Sequence, residues 1–184
     1  MSRSSGFDPL DRFRWKVYVF SPAGALWARA GFTSCTTPDV TVNFKTYQEG
    51  GRHMMPRKIH DSAGFSPITL ARGVIARQGS DDFAKWMNDL FKVTHQEPGA
   101  ADAPNYRNDI VIEHLDRDST VVKRYVLFNC VPSHYKPASD FSALDEAEIS
   151  VETLSFEYEG FKEERVNSLE DVGDYVRRFT RGIF

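Results

Sequence analysis

From residue 12 onward apolar and polar side chains alternate: Phe13, Trp15, Val17 and Val19 fall on one parity, Arg12, Arg14, Lys16 and Tyr18 on the other. A period of two is that of a strand with one apolar and one wet face. Ser21, Pro22, Ala23 and Gly24 make a turn, and residues 26–35 return as the second arm of a hairpin, with Gly31 as a bulge. Further on, Val40, Val42 and Phe44 share one face and Thr41, Asn43 and Lys45 the other, which predicts a half-solvated strand over 40–47. Residues 49–65 then offer Gly50, Gly51, Pro56 and Gly64 with the bases Arg52, Arg57 and Lys58, and too little apolar periodicity for a core element. The spacing predicts an extended loop. Loops of that length in a compact domain are uncommon and generally functional. Its 17 residues span at most ~60 Å when fully extended, and about half that as a two-stranded arm.

Residues 66–73, centred on Ile68, Thr69 and Leu70, read as another strand. Ser80 then caps a helix whose Asp81 and Asp82 suit the positive end of its dipole. Phe83, Trp86, Met87, Leu90 and Phe91 recur at three- and four-residue steps, so this helix presents one broad apolar stripe and ends at Val93 or His95. Strands over 109–115 and 121–131 flank a charged turn at Asp116, Arg117, Asp118 and Ser119. Pro132 and Pro137 break the pattern, residues 138–147 hold a short helical turn, and 148–161 form the last long strand. Ile149 and Val151 lie on one parity there and Leu154, Phe156 and Tyr158 on the other, so a bulge or a change of buried face is expected near Thr153. Ser168 and Asp171 bracket a capping box, and Leu169, Val172, Tyr175, Val176 and Phe179 trace the stripe of a terminal helix.

At 184 residues the chain fills one core, with appendages. The division is a β domain over 1–161, with a flexible N-terminal arm at 1–11 and the extended loop at 49–65, followed by a C-terminal helical extension over 162–184. The class is mainly β, α+β by strict count. A net charge of −3 gives no basic footprint for gripping a phosphate backbone. No apolar run reaches bilayer length and the first residues lack a secretory signal, so the expectation is a protein made in the cytoplasm without a membrane anchor. Cys35 and Cys130 read as free thiols, the alternative being a disulfide formed in an oxidising medium, within or between subunits.

Candidate chemistry adds little. Cys130 and His134 stand four apart, but Pro132 lies between them and no third orienting group is evident. His53, His60, His95 and His114 lack a ligand spacing, and Gly50, Gly51 and Arg52 lack the glycine pattern and Lys-Ser/Thr of a phosphate loop. No catalytic, metal or cofactor site is read, and no enzymatic activity is expected.

One stretch is more specific: Tyr47, then Glu49-Gly50-Gly51, a basic loop, then Ile68-Thr69-Leu70 followed by Arg72 and Gly73. It resembles the tail tube proteins of contractile bacteriophages and the related inner tubes of bacterial injection machines. The order and spacing of a helix after Gly73, a hairpin over 110–128 and a closing strand ending at Glu159-Gly160-Phe161 extend the resemblance over 13–161. It implies a β-sandwich or barrel flanked by a helix, with a long β arm and a C-terminal helix. It also implies subunits joined as homohexameric rings that stack into a hollow conduit, located in the virion and assembled in the host cytoplasm. Implied partners are other copies of the chain, the tail sheath protein, the baseplate or hub and the tail terminator. Tape measure protein and DNA pass through the lumen without tight binding, past a wall expected to be mixed or net acidic in charge. Tyr47, Glu49, Gly50, Gly51, Arg52, Pro56, Arg57 and Lys58 are then the residues expected at the subunit or ring interface. The alternatives are the inner tube of an extracellular or type VI-like injection system carrying protein, and a low-copy baseplate or tail-completion adaptor.

Overall fold

The computed structural model describes residues 10–21, 26–29, 31–48, 50, 55–74, 82–95, 106–141 and 149–166. In chain order the elements are β1 (Trp15–Phe20), β2 (Leu26–Arg29), β3 (Ser34–Cys35), β4 (Val40–Tyr47), β5 (Arg57–Phe65), β6 (Ile68–Gly73), α1 (Asp82–His95), β7 (Asn108–Leu115), β8 (Val121–Lys136), β9 (Val151–Glu157) and β10 (Gly160–Arg165). The expected helical extension beyond 166, the helix cap at Ser80 and Asp81, and most of the N-terminal arm lie outside the described residues.

Two antiparallel sheets face each other. The first runs β2-β1-β7-β8-β10 and the second β8-β9-β6-β3, so β8 serves both. Its first half pairs with β7 and β10, its second half with β9. Between the sheets lie Val17, Val19, Ile110, Ile112 and Leu127 from one side and Ile68, Leu70, Leu154 and Phe156 from the other, with α1 adding Phe83 and Trp86. Each such side chain, fully withdrawn from water, contributes roughly 1.5–3 kcal/mol of transfer free energy before entropy is counted. The apolar stripe of α1 lands as its periodicity predicts, although Phe91 stays half-exposed at the rim.

The sequence pattern misplaces several details. Residues 26–35 do not form one returning strand: β2 pairs with β1, whereas β3 pairs with β6 in the opposite sheet. Gly31 therefore lies on a crossover between sheets and not in a bulge. β8 continues through Pro132 to Lys136, because in the second sheet this half of β8 is an edge strand, where a residue without an N–H is tolerated. The bulge expected near Thr153 falls instead on the partner strand, between Pro132 and His134 opposite Phe156 and Ser155. The closing strand divides at Tyr158 and Glu159, and β10 pairs with β8 over Gly160–Arg165.

The outer face of the first sheet is not simply wet. Phe20, Val111 and Val126 form a second apolar cluster there, and the cross-strand neighbours Glu113 and Arg124 are buried beside it as an ion pair at 2.9 Å. By contrast the outer face of the second sheet carries small residues at its centre, Thr69, Ala71, Thr153 and Ser155, with a Thr69–Ser155 hydroxyl bond of 2.9 Å.

Candidate functional site

β3 and β4 run as one edge of a ribbon, β5 and β6 as the other. Ser34 pairs with Ala71 and Cys35 with Leu70, Thr36 donates to the Thr69 carbonyl, and Ser66 donates to that of Asp39. The same register then continues as Val40 opposite Phe65 and Thr41 opposite Gly64, and on to Asn43 opposite Ser62. Only the β3–β6 part belongs to the body. The β4–β5 part is a sheet of its own two strands, and at ~3.4 Å per residue its eight-residue strand β4 extends about 27 Å.

Every residue of β4 is exposed, and every residue of β5 except Phe65. The predicted loop over 49–65 is thus corrected: 57–65 is a strand, invisible to periodicity because it buries neither face. A register shift between Asn43 and Phe44 admits one extra residue on β5, which increases local twist. The faces differ in chemistry. Val40, Val42 and Phe44 line up with Ala63 and Phe65 on one side, and Thr41, Asn43 and Lys45 occupy the other. There Asn43 donates to the Ser62 hydroxyl at 3.2 Å and Lys45 pairs with Asp61 at 2.6 Å.

The described members of the expected interface set gather at the arm's far end. Tyr47, half-exposed, stands opposite Arg57, and Thr46 opposite Lys58. Pro56 is exposed immediately before β5, and Gly50 is exposed beyond β4. Glu49, Gly51 and Arg52 lie outside the described residues. Sequence reasoning passed over the exposed apolar residues of the arm as interface candidates, namely Val40, Val42, Phe44, Met55 and Ile59. The alternation in 40–44 was the available signal, and it was assigned to a body sheet.

The root of the arm is fixed by Tyr158. Its hydroxyl donates to the Asp39 carbonyl at 3.1 Å and accepts from the Asp39 amide at 3.2 Å. Its ring packs against Phe65 at 5.2 Å and Phe161 at 6.2 Å between centroids. Burial pushes the phenol above its ordinary range, so it stays a neutral donor at physiological pH. Beneath the helix, Arg72 pairs with Glu152, its cross-strand neighbour, with the guanidinium 4.2 Å from the centre of the Phe83 ring. Tyr135 donates to the second oxygen of the same carboxylate at 3.3 Å.

Both cysteines are free. Cys130 is withdrawn from solvent inside the core, out of reach of a neighbouring subunit. Burial raises its thiol well above the ordinary range and lifts that of Cys35 to about 12, and a protonated, enclosed thiol is a poor nucleophile. His134 is exposed and paired in the ladder opposite Ser155, so the two are not a nucleophile and its base. Among the described residues no group of three His, Cys, Asp or Glu side chains could hold a metal ion. No described helix is long and apolar enough to cross a membrane.

Residues 12–162 match the family model of the T4-like virus tail tube protein gp19. Among solved structures, the fold is similar to that of a chain in the anti-feeding prophage baseplate, at 17% identity over 88% of this chain and 99% of that one, with a TM-score of 0.68. It is also similar to a chain in the sheath/tube terminator of the PVC extracellular contractile injection system, at 18% identity over 87% and 99%, with a TM-score of 0.68. A chain of the PVC sheath-tube complex gives 17% identity over 90% and 100%, with a TM-score of 0.66. A search of curated proteins found no match.

Proposed function

The chain belongs to the T4-like virus tail tube protein family, and from that premise we propose that it is a non-enzymatic subunit of the inner tube of a contractile phage tail. Copies join as homohexameric rings, the rings stack into a hollow conduit inside the sheath, and the conduit pierces the envelope and passes DNA. The observation that carries this reading is the β4–β5 arm. A two-stranded ribbon is marginal on its own in water, and its open edges and exposed apolar face invite another chain. A tube supplies that chain at every ring. In this scheme Tyr47, Glu49, Gly50, Gly51, Arg52, Pro56, Arg57 and Lys58 meet an adjacent subunit or ring, and sheath, baseplate hub and terminator meet the outside and the ends.

Passage without retention requires a wall that does not bind phosphate. The outer face of the second sheet, with Thr69, Ala71, Thr153 and Ser155 at its centre, has that character. Lys136 and His134 stand at its edge strand, and Lys136 pairs with the exposed Asp140 at 2.9 Å, so the charges at that margin are mixed. A protein-carrying injection tube uses the same subunit geometry, and a low-copy adaptor does not need the arm to find its own kind. The test is negative-stain microscopy of the purified protein, concentrated without other components and then with a baseplate seed. Stacked rings or hollow tubes are expected. Monomers persisting under both conditions overturn the reading.

A further inference from the structure

The ribbon that carries the arm has a second end. Its body portion finishes where β6 reaches Gly73 and β9 begins at Val151, the two being partners in the ladder. Val74 continues the pairing by donating to the Ser150 carbonyl at 2.9 Å. Ser139 closes the same end: its hydroxyl accepts from the Val151 amide at 3.0 Å and lies 3.4 Å from the Val151 carbonyl. Three apolar side chains stand on this adjoining backbone, facing water: Phe141 at 93% exposure, Ile149 at 78% and Val74 at 46%. The Ile149 side chain lies over Gly73, with room there for no more than a methyl in ordinary contact.

A concentration of exposed apolar side chains at one place marks a surface that another chain covers. Its position selects the occupant. The apolar face of the arm, Val40, Val42 and Phe44, lies at one end of a hydrogen-bonded ladder, and Val74, Ile149 and Phe141 lie at the other. Two different surfaces at opposite ends of one rigid element form a heterologous pair, which repeats along a line when copies are set head to tail. Charge agrees with the match. Residues 40–65 carry four basic side chains, Lys45, Arg52, Arg57 and Lys58, against two acidic, Glu49 and Asp61. That makes +2 for the arm segment in a chain of −3, and leaves −5 for the remainder. A basic arm is attracted to the acidic body of a second copy, and the attraction orients the approach before apolar contact forms.

We propose that Val74, Phe141 and Ile149 form the seat on which the β4–β5 arm of the next copy of this chain docks. The proposal rests on the tube reading and names the receiving surface for its arm. Because seat and arm occupy opposite ends, each ring presents arms to one neighbour and seats to the other, and the tube acquires a direction.

Two variants test this together. Phe44→Asp spoils the arm and leaves the seat; Phe141→Asp with Ile149→Asp spoils the seat and leaves the arm. All three side chains are largely exposed in the subunit, so both variants keep the wild-type thermal melt and circular dichroism. Each alone sediments as unstacked rings or subunits. Mixed in equal amounts, they form stacks that stop at two layers, at twice the unstacked mass, because only one arm–seat combination is intact. A seat variant that stacks as the wild type does overturns the proposal while leaving the tube reading in place. So does a mixture in which no paired species forms. Failure of the wild type itself to assemble, with or without a seed, counts against the tube reading instead.

Discussion

Two long ribbons organise the molecule, and they end differently. One is the β3–β4/β5–β6 ladder, which leaves the body and projects. The other is β8 with β9 and β10, which also keeps one register, from Lys123 opposite Arg165 to Pro132 opposite Phe156, but bends and stays inside. At the bend Asn129 adopts a φ of 53°. Its amide donates to Asp109 at 3.0 Å and its side-chain amide to Glu159 at 2.8 Å, while Arg107 pairs with the same Glu159. The projecting ribbon has no residue of positive φ among the described non-glycine positions, and at its root Tyr158 holds Asp39 by the backbone alone. A ribbon that turns by a left-handed residue gains a second sheet to cover its apolar face. A ribbon that runs straight on keeps its apolar face for another molecule.

The largest expected contrast lies along the projecting ribbon itself. Leu70 has no exposed surface and Val42 is 45% exposed, yet both belong to the same ladder. Leu70→Ala should lower unfolding free energy by about 2–5 kcal/mol, the range for a cavity in a packed core. Val42→Ala should change it by no more than about 0.5 kcal/mol, measured on unassembled subunits by urea denaturation. A comparable loss from Val42→Ala would mean that the arm is packed against its own body, and the contrast between the two halves would fail.

Next comes the bend. Asn129→Val places a β-branched residue at positive φ, at about 1–2 kcal/mol for the backbone, and also removes the side-chain hydrogen bond to the exposed Glu159 carboxylate. Asn129→Gly removes only the second contribution. Equal losses from the two variants in denaturant titrations would show that the left-handed residue is incidental to the turn. At the root, Tyr158→Phe deletes both contacts to Asp39 while keeping the ring on Phe65 and Phe161, and should cost about 1–2 kcal/mol. Amide exchange would report it locally: protection at Ser66, whose amide bonds to Asp39, should fall further than protection in β7. Uniform loss would place Tyr158 in the global core and not at a hinge.

The sequence made the body readable where one face of an element is dry. Val17 and Val19, the α1 stripe and the 110–128 hairpin all announced themselves by period, because burial on one side selects apolar residues at every turn or every second position. It made the arm readable only in part. Val40, Val42 and Phe44 alternate, but their partner strand reads His60-Asp61-Ser62-Ala63-Gly64, and a strand wet on both faces in the subunit has no period to show. Tyr47 and the Gly50 stretch were singled out through family resemblance and not through any period. The seat at Val74, Phe141 and Ile149 was out of reach, since its three residues come from separate segments that meet through the pairing of Gly73 with Val151 and the contacts of Ser139 to Val151. Tyr158 was likewise read as one more apolar strand position, because nothing in a linear pattern says that a hydroxyl reaches Asp39.

The smallest effect separates the two ribbons by acid. Burial pushes the Asp109 carboxyl above its ordinary range, with the Asn129 amide bond offsetting part of the rise. Glu159 moves the other way, held down first by the Asn129 side chain and then by Arg107. A raised carboxyl binds its proton more tightly in the folded state, so its ionisation subtracts stability as pH climbs through the folded value. A lowered carboxyl contributes stability above its unfolded value, lost as pH falls through the folded one. Asp109→Asn keeps an oxygen to accept from the Asn129 amide and removes the buried charge. It should therefore stabilise the subunit at pH 7, by less than about 1 kcal/mol on the scale of a single altered polar contact. That advantage should fade near pH 3, where the wild-type carboxyl is itself protonated. Asp109→Asn leaves the arm root untouched, where the Tyr158 phenol holds the Asp39 backbone and the Asp39 carboxylate accepts from the Ser66 hydroxyl at 3.4 Å, so exchange at Ser66 should follow only the global change. A stabilisation by Asp109→Asn that is equal at pH 7 and pH 3 would mean that the bend tolerates its charge, and that geometry alone distinguishes the ribbon that turns from the one that projects.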